Sequence, residues 1–157
     1  MNAVEVALAG VAAPPWRAGL PGVCRRALAA AGIDGWDLSV LLCSDEVIRA
    51  LNARYRGIDR PTDVLSFSQA EGPRVARTGR RRIAGDLVIS VETMRRNAAE
   101  RGAGEEDELA RLVVHGILHL DGMDHGAGRG RAMRDRERKL AAALAAGGTR
   151  KAGGGGP

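Results

Sequence analysis

His115-Gly116-Ile117-Leu118-His119-Leu120-Asp121-Gly122-Met123-Asp124-His125 contains all three histidines of a 157-residue chain. His115 and His119 are four apart, which on an α-helix stacks them on one face about one turn apart. Leu109, Leu112, Val113, Gly116, Ile117 and Leu120 follow the i, i+3, i+4, i+7, i+8 spacing of a buried stripe. The pattern predicts a helix over residues 105–120, with both histidines beside the stripe where a cleft would lie. Gly122 then offers a helix end and a reversal of the chain, which would bring His125 back toward the pair. Three imidazoles around one transition-metal ion leave a position open for water, as catalytic rather than structural sites do. Imidazole nitrogen favours zinc, one ion per chain, and copper, nickel or iron could occupy the same ligands in vitro.

Outward from that helix the chain mixes short strands with helices. Val4, Val6 and Leu8 alternate in a first strand over residues 2–9. Trp16 to Ala31 reads as a helix, with Pro21 in its first part and Gly32 ending it. Trp36 to Cys43 is a second strand. Ser44 caps a helix through about Tyr55, and Asp45 and Glu46 complement its dipole. Val64–Phe67 and Ile83–Val91 are two more strands, close enough in sequence to pair antiparallel. Helices are expected from Glu92 to Arg101 and from Arg129 to about Ala146. This order implies an α+β fold, a small mixed sheet of about four strands packed with helices. Residues 1–146 form one domain, and GGTRKAGGGGP at 147–157 is expected to be a disordered tail.

Composition points to a soluble globular chain, with 45% hydrophobic and 27% charged residues. Cys24 and Cys43 stand apart and form no C-x-x-C motif, which suits a reducing cytoplasm. No apolar run approaches the ~20 residues that cross a bilayer. The apolar N-terminus lacks a basic start and carries Glu5, so it reads as a strand rather than a signal. A cytoplasmic location without membrane contact is expected.

The net charge is +5, and the chain has only two lysines among its 24 basic residues. Arginine grips phosphate in a fork that lysine cannot make, although GC-rich coding would also enrich it. Placement is more informative. Arg49, Arg54, Arg56 and Arg60 form one group. Arg74, Arg77, Arg80, Arg81 and Arg82 fill a loop from Gln69. The basic residues of the last helix interleave with Asp135 and Glu137, as on a solvated face. Such groups bind phosphate without reading sequence. Only Trp16, Trp36, Tyr55 and Phe67 offer rings for base stacking.

The histidine spacing is similar to that of zinc peptidases with H-E-x-x-H-x-x-G-x-x-H. Gly116 stands where those enzymes keep a glutamate base, which argues against peptide hydrolysis. Other stretches carry a closer resemblance. Leu51-Asn52 with Tyr55-Arg56, Thr62-Asp63-Val64-Leu65-Ser66-Phe67, Gly85-Asp86 with Ile89-Ser90, and the histidine stretch together resemble the YbeY family of bacterial endoribonucleases and rRNA maturation factors. Met133 and Glu137 match a Met and a Glu on that family's closing helix. The likeness spans residues 45–140, departing at Leu87, usually Ile, and in the unusually basic 69–82 segment.

The resemblance implies a single-strand-specific, metal-dependent endoribonuclease. It would act in 3′-end maturation of small-subunit (16S) rRNA and in ribosome quality control. His115, His119 and His125 would bind zinc, and Arg56 matches a position used for RNA cleavage; Arg56 and His115 are the expected catalytic residues. Asp86 and Asp124 are candidates to orient a ligand imidazole through its free N–H, or else mark a strand start and a turn. Arg54, Arg60, Arg80, Arg81 and Arg82 are candidate RNA contacts. Expected partners are rRNA and the ribosome, with ribosomal proteins or assembly GTPases. Two alternatives remain: a non-catalytic assembly factor stabilised by zinc, and a metallopeptidase with another base.

Overall fold

The strand at Trp36–Cys43 has apolar side chains on both of its faces, so it must lie inside a sheet covered on two sides. A computed structural model of the chain places it there. The structure describes the backbone of residues 1–68, 82–124 and 131–152, and the side chains of 1–68, 85–122 and 133–144. The elements are β1 (Ala3–Ala9), α1 (Leu20–Ala30), β2 (Trp36–Cys43), α2 (Asp45–Arg56), β3 (Val64–Ser68), β4 (Arg82–Ser90), α3 (Val91–Arg101), α4 (Glu105–Asp124) and α5 (Arg131–Ala152).

The four-stranded sheet has the order β1-β2-β4-β3. β1, β2 and β4 run parallel, while β3 pairs antiparallel with β4. The expected α+β fold, mixed sheet and antiparallel β3–β4 pair are therefore all present. Leu38, Val40, Leu42, Leu87 and Ile89 pack on one face against α1, α3, α4 and α5. Val88, Leu65 and Phe67 point the other way and meet Ile48, Val47 and Leu51 of α2. Burying both faces removes the sheet's apolar area from water at about 25 cal/mol per Å². Cys24 lies in the first of these cores and Cys43 in the second. Neither pairs, and burial pushes both thiols up to about 12.

Three boundaries differ from the sequence expectation. The helix expected from Trp16 begins with a single 3-10 turn, and α1 proper starts at Leu20 with Pro21 at its head. Proline lacks an N–H and fits where the helix needs none. α4 does not end at Leu120 or turn at Gly122; it continues to Asp124. Leu120, Asp121 and Gly122 are buried, and Arg136 binds Asp121. Glycine inside a helix costs only about 1 kcal/mol, which such packing outweighs. α5 runs past the expected end at Ala146 to Ala152; residues 153–157 of the expected tail lie outside the described residues.

The G-D motif has a backbone cause. Register slips between β2 and β4 at Asp37/Leu38, and Gly85 adopts φ +146°. A Cβ there would stand 2.1 Å from the Phe67 carbonyl oxygen, so only glycine fits.

Helices α2 and α3 start side by side. Ser44 Oγ accepts from Val47 N at 3.3 Å, and Ser90 Oγ accepts from Thr93 N at 3.2 Å. The two caps are tied together. Asp45 Oδ1 accepts from Ser90 Oγ and Thr93 Oγ1, each at 2.6 Å, and Asp45 Oδ2 accepts from Arg96 Nη2 at 2.7 Å. Glu92 Oε1 accepts from Asp45 N at 2.8 Å. Desolvation pushes the Asp45 carboxyl up, but the bonds from Ser90, Thr93 and Arg96 outweigh it and hold the carboxyl below its ordinary value. A depressed folded pKa gives stability that is present above the unfolded value and lost as pH falls through the folded one. Asp45→Asn is therefore expected to lower unfolding free energy by about 1–2 kcal/mol near neutral pH. Denaturant titrations at decreasing pH should show wild type and variant converging below about pH 4. A gap independent of pH would mean that the Asp45 charge contributes nothing.

Candidate functional site

The site begins with a missing side chain. Gly116 lies so close to the sheet that a Cβ would meet Leu87 Cδ2 at 2.6 Å and Ser66 Oγ at 3.3 Å. Ser66 Oγ donates to the Gly116 carbonyl at 3.3 Å. The helix backbone therefore rests directly on β3 and β4. Gly116 is more than the absence of a peptidase glutamate: a side chain there would have to displace Leu87.

That contact fixes the histidines on either side of it. The rings of His115 and His119 lie one turn apart with centroids 4.5 Å from each other and planes inclined at 59°. Both residues are half-buried. Glu137 Oε1 of α5 meets His115 Nδ1 in a short hydrogen bond. With Glu137 ionised and His115 neutral, Nδ1 donates to the carboxylate and Nε2 is the nitrogen left to face a metal. This is the arrangement in which a carboxylate orients a metal-ligating imidazole.

Glu137 occupies an unusual position on its own helix. Met133, Leu140 and Leu144 pack into the core at i, i+7 and i+11, and Glu137 falls at i+4 on the same face. Its side chain is 22% exposed, in a stripe that otherwise takes apolar residues. His115 supplies the polar partner that makes this burial tolerable.

Arg56 ends α2 and turns toward the β3 strand. Its Nη2 donates to the Ser66 carbonyl at 2.8 Å, and its guanidinium lies 4.8 Å from the Phe67 ring centroid. Ser66 thus joins the two halves of the site: its carbonyl holds Arg56, and its hydroxyl holds the backbone next to His115. Arg111, one turn before His115, grips the buried Glu108 through Nε and Nη2 and stands 3.7 Å from Asp63 Oδ2. The Glu108 bond, opposed by burial and reinforced by the charges of Glu108, Asp63 and Glu137, raises its already high pKa. Asp63 itself shapes the turn into β3: its Oδ1 accepts from Val64 N at 2.8 Å, and its carbonyl accepts from Ser90 N at 2.9 Å.

Asp86 does not join this group. Strand alternation puts Leu87 against α4 and Asp86 on the opposite face, in a cleft shared with Glu5, Ser39 and Val88. The sheet stands between Asp86 and the histidines of α4, and among the described residues Glu137 is the carboxylate that meets His115. Arg54 and Arg60 are exposed, with the Arg54 guanidinium 5.3 Å from the Tyr55 centroid. His125, Arg80 and Arg81 lie outside the described residues, and only the backbone is described for Asp124 and Arg82. Among the described residues, no three His, Cys, Asp or Glu side chains converge on a metal position. His115 and His119 fit two ligands of such an ion.

The family model for endoribonuclease YbeY matches residues 14–145. The chain belongs to the YbeY endoribonuclease family. Endoribonuclease YbeY of Treponema pallidum (strain Nichols) is 45% identical over 127 residues, covering 80% of this chain and 78% of that one. Endoribonuclease YbeY of Moorella thermoacetica is 44% identical over 134 residues, covering 82% and 85%. The solution structure of TM1509 from Thermotoga maritima superposes with a TM-score of 0.63 at 25% identity, covering 93% of each chain. The family match covers every described residue placed at the site.

Glu137 was visible in the sequence only as a motif match, although a charge in an apolar α5 stripe is itself a signal. Arg111, at i−4 from His115, carried a similar one. The Gly116 contact yields a direct test. Gly116→Ala would gain up to about 1 kcal/mol of helix propensity on an open helix. Here overpacking against Leu87 is expected to reverse the sign and cost about 1–3 kcal/mol, read by chemical denaturation. A stabilised variant would show that α4 does not lie this close to the sheet.

Proposed function

We propose that this chain is a zinc-dependent endoribonuclease that cleaves single-stranded RNA. Its proposed role is 3′-end maturation of small-subunit rRNA and ribosome quality control. The observation that carries the reading is the Ser66 link. It sets the Arg56 guanidinium and, through the Gly116 carbonyl, the backbone beside the His115 imidazole on the two sides of one residue. Metal-assisted phosphodiester hydrolysis uses those two chemistries together: an anchor for a metal and a cation for the phosphate.

His115 offers Nε2, and His119 and His125 are the proposed second and third ligands. When bound, zinc supplies Lewis acidity at the phosphate. Arg56, held by the Ser66 carbonyl and resting on Phe67, is the proposed cation for the non-bridging oxygens. Gly116 excludes a carboxylate base at the point where zinc peptidases hold one, which favours a phosphodiester over a peptide. Arg54, Arg60, Arg80, Arg81 and Arg82 are proposed to follow the RNA backbone. With three of the four base-stacking candidates buried, base-specific selection would come from the ribosome, a ribosomal protein or an assembly GTPase. No helix among the described residues is long and apolar enough to cross a membrane, and a cytoplasmic site of action is part of the proposal.

Metal-loaded protein is expected to cleave a single-stranded RNA oligonucleotide. Arg56→Ala should reduce the rate by about 10²–10³-fold, and His115→Ala should abolish it. Elemental analysis should find one zinc per chain, lost in His119→Ala. Cleavage unchanged in both rate variants would assign the activity to a contaminant. Tight RNA binding without turnover would point to the non-catalytic assembly factor.

A further inference from the structure

Arg136 on α5 makes two directed bonds. Nη1 donates to Asp121 Oδ2 at 2.6 Å, and Nη2 donates to the Ala31 carbonyl at 3.2 Å. Ala31 is the C-cap of α1, and Asp121 lies in the last turns of α4. One guanidinium therefore fastens α5 to two helices at once. Asp121 is only 7% exposed, and a carboxylate that buried requires a cation partner.

We propose that Arg136 and Asp121 are positioning residues for His115. They fix the register of α5 so that the adjacent Glu137 meets Nδ1. The inference rests on the reading of His115 as a metal ligand through Nε2. Among the described residues, α5 also packs through Met133, Leu140 and Leu144, and apolar contact is non-directional. A slip of one residue shifts a helix by about 1.5 Å and turns it by about 100°, which removes Glu137 from the ring. Apolar packing opposes a full slip, which would carry Leu140 and Leu144 off the core, but it opposes only weakly the smaller shifts and rotations that keep them buried. A planar guanidinium bonded along two directions resists both the shift and the rotation. Arg136 acts on the His115 ring by orientation, through the adjacent Glu137.

The test uses the full-length, metal-free protein and ¹⁵N NMR of the imidazole rings. Wild type is expected to hold His115 as a single Nδ1–H tautomer. In Asp121→Leu combined with Arg136→Met, apolar groups replace the buried pair, an exchange that is often neutral or stabilising. The fold should survive by circular dichroism and melting temperature. The His115 tautomers should nevertheless interconvert, and zinc affinity by chelator competition should drop about tenfold or more. Arg136→Lys keeps the charge beside Asp121 but cannot fork, and should shift His115 in the same direction. Folded variants with the wild-type His115 spectrum and zinc affinity overturn the proposal. Glu137→Leu separates the two readings. If it releases His115 while the Arg136 variants do not, the clamp alone fails; if it changes nothing, the orienting role of Glu137 fails with it.

Discussion

The backbone of α4 touches the sheet at Gly116, and the site depends on that contact. With any side chain there, Leu87 and Ser66 would have to move, and α4 would stand off from β3 and β4. His115 and His119 would rise with it, and the Ser66 hydroxyl would lose the Gly116 carbonyl. Arg56 sits on the other side of the same serine. A single close approach thus sets the height of the imidazoles and their relation to the guanidinium.

The second layer of control comes from α5. Its apolar stripe supplies most of its burial, but among the described residues its three polar bonds to neighbouring helices come from consecutive residues, Arg136 and Glu137. Both reach α4, one at Asp121 and one at His115. The site is therefore a product of helix packing as much as of the histidine sequence, with β3, α2 and α5 each contributing one contact.

Much of the fold was legible because the signals were local. Trp36–Cys43 alternates, Ser44 and Ser90 precede acidic first turns, and Ile83–Val91 follows Val64–Phe67 closely enough to favour an antiparallel pairing. The misread boundaries are places where tertiary contact outweighs a local preference. Gly122 would end an exposed helix, but burial of Leu120 and Asp121 carries α4 through it. The histidine pair and Arg56 were legible from spacing and motif. Asp86 was misplaced because sequence proximity to a motif does not say which face of a strand a residue takes. Counting the alternation from Leu87 would have put it on the far side. Glu137 and Arg136 act across a distance of more than fourteen residues along the chain, and no local pattern names their partners.

The central claim is that His115 presents Nε2, with Nδ1 held by Glu137, to a metal shared with His119 on the side of the site that Arg56 faces. Anomalous diffraction at the zinc edge from zinc-loaded crystals tests it most directly. The account predicts one peak about 2.0–2.1 Å from Nε2 of His115, with His119 as a further ligand and the Glu137–Nδ1 bond intact. A peak on Nδ1 with Glu137 displaced, or zinc bound away from both rings, would contradict it.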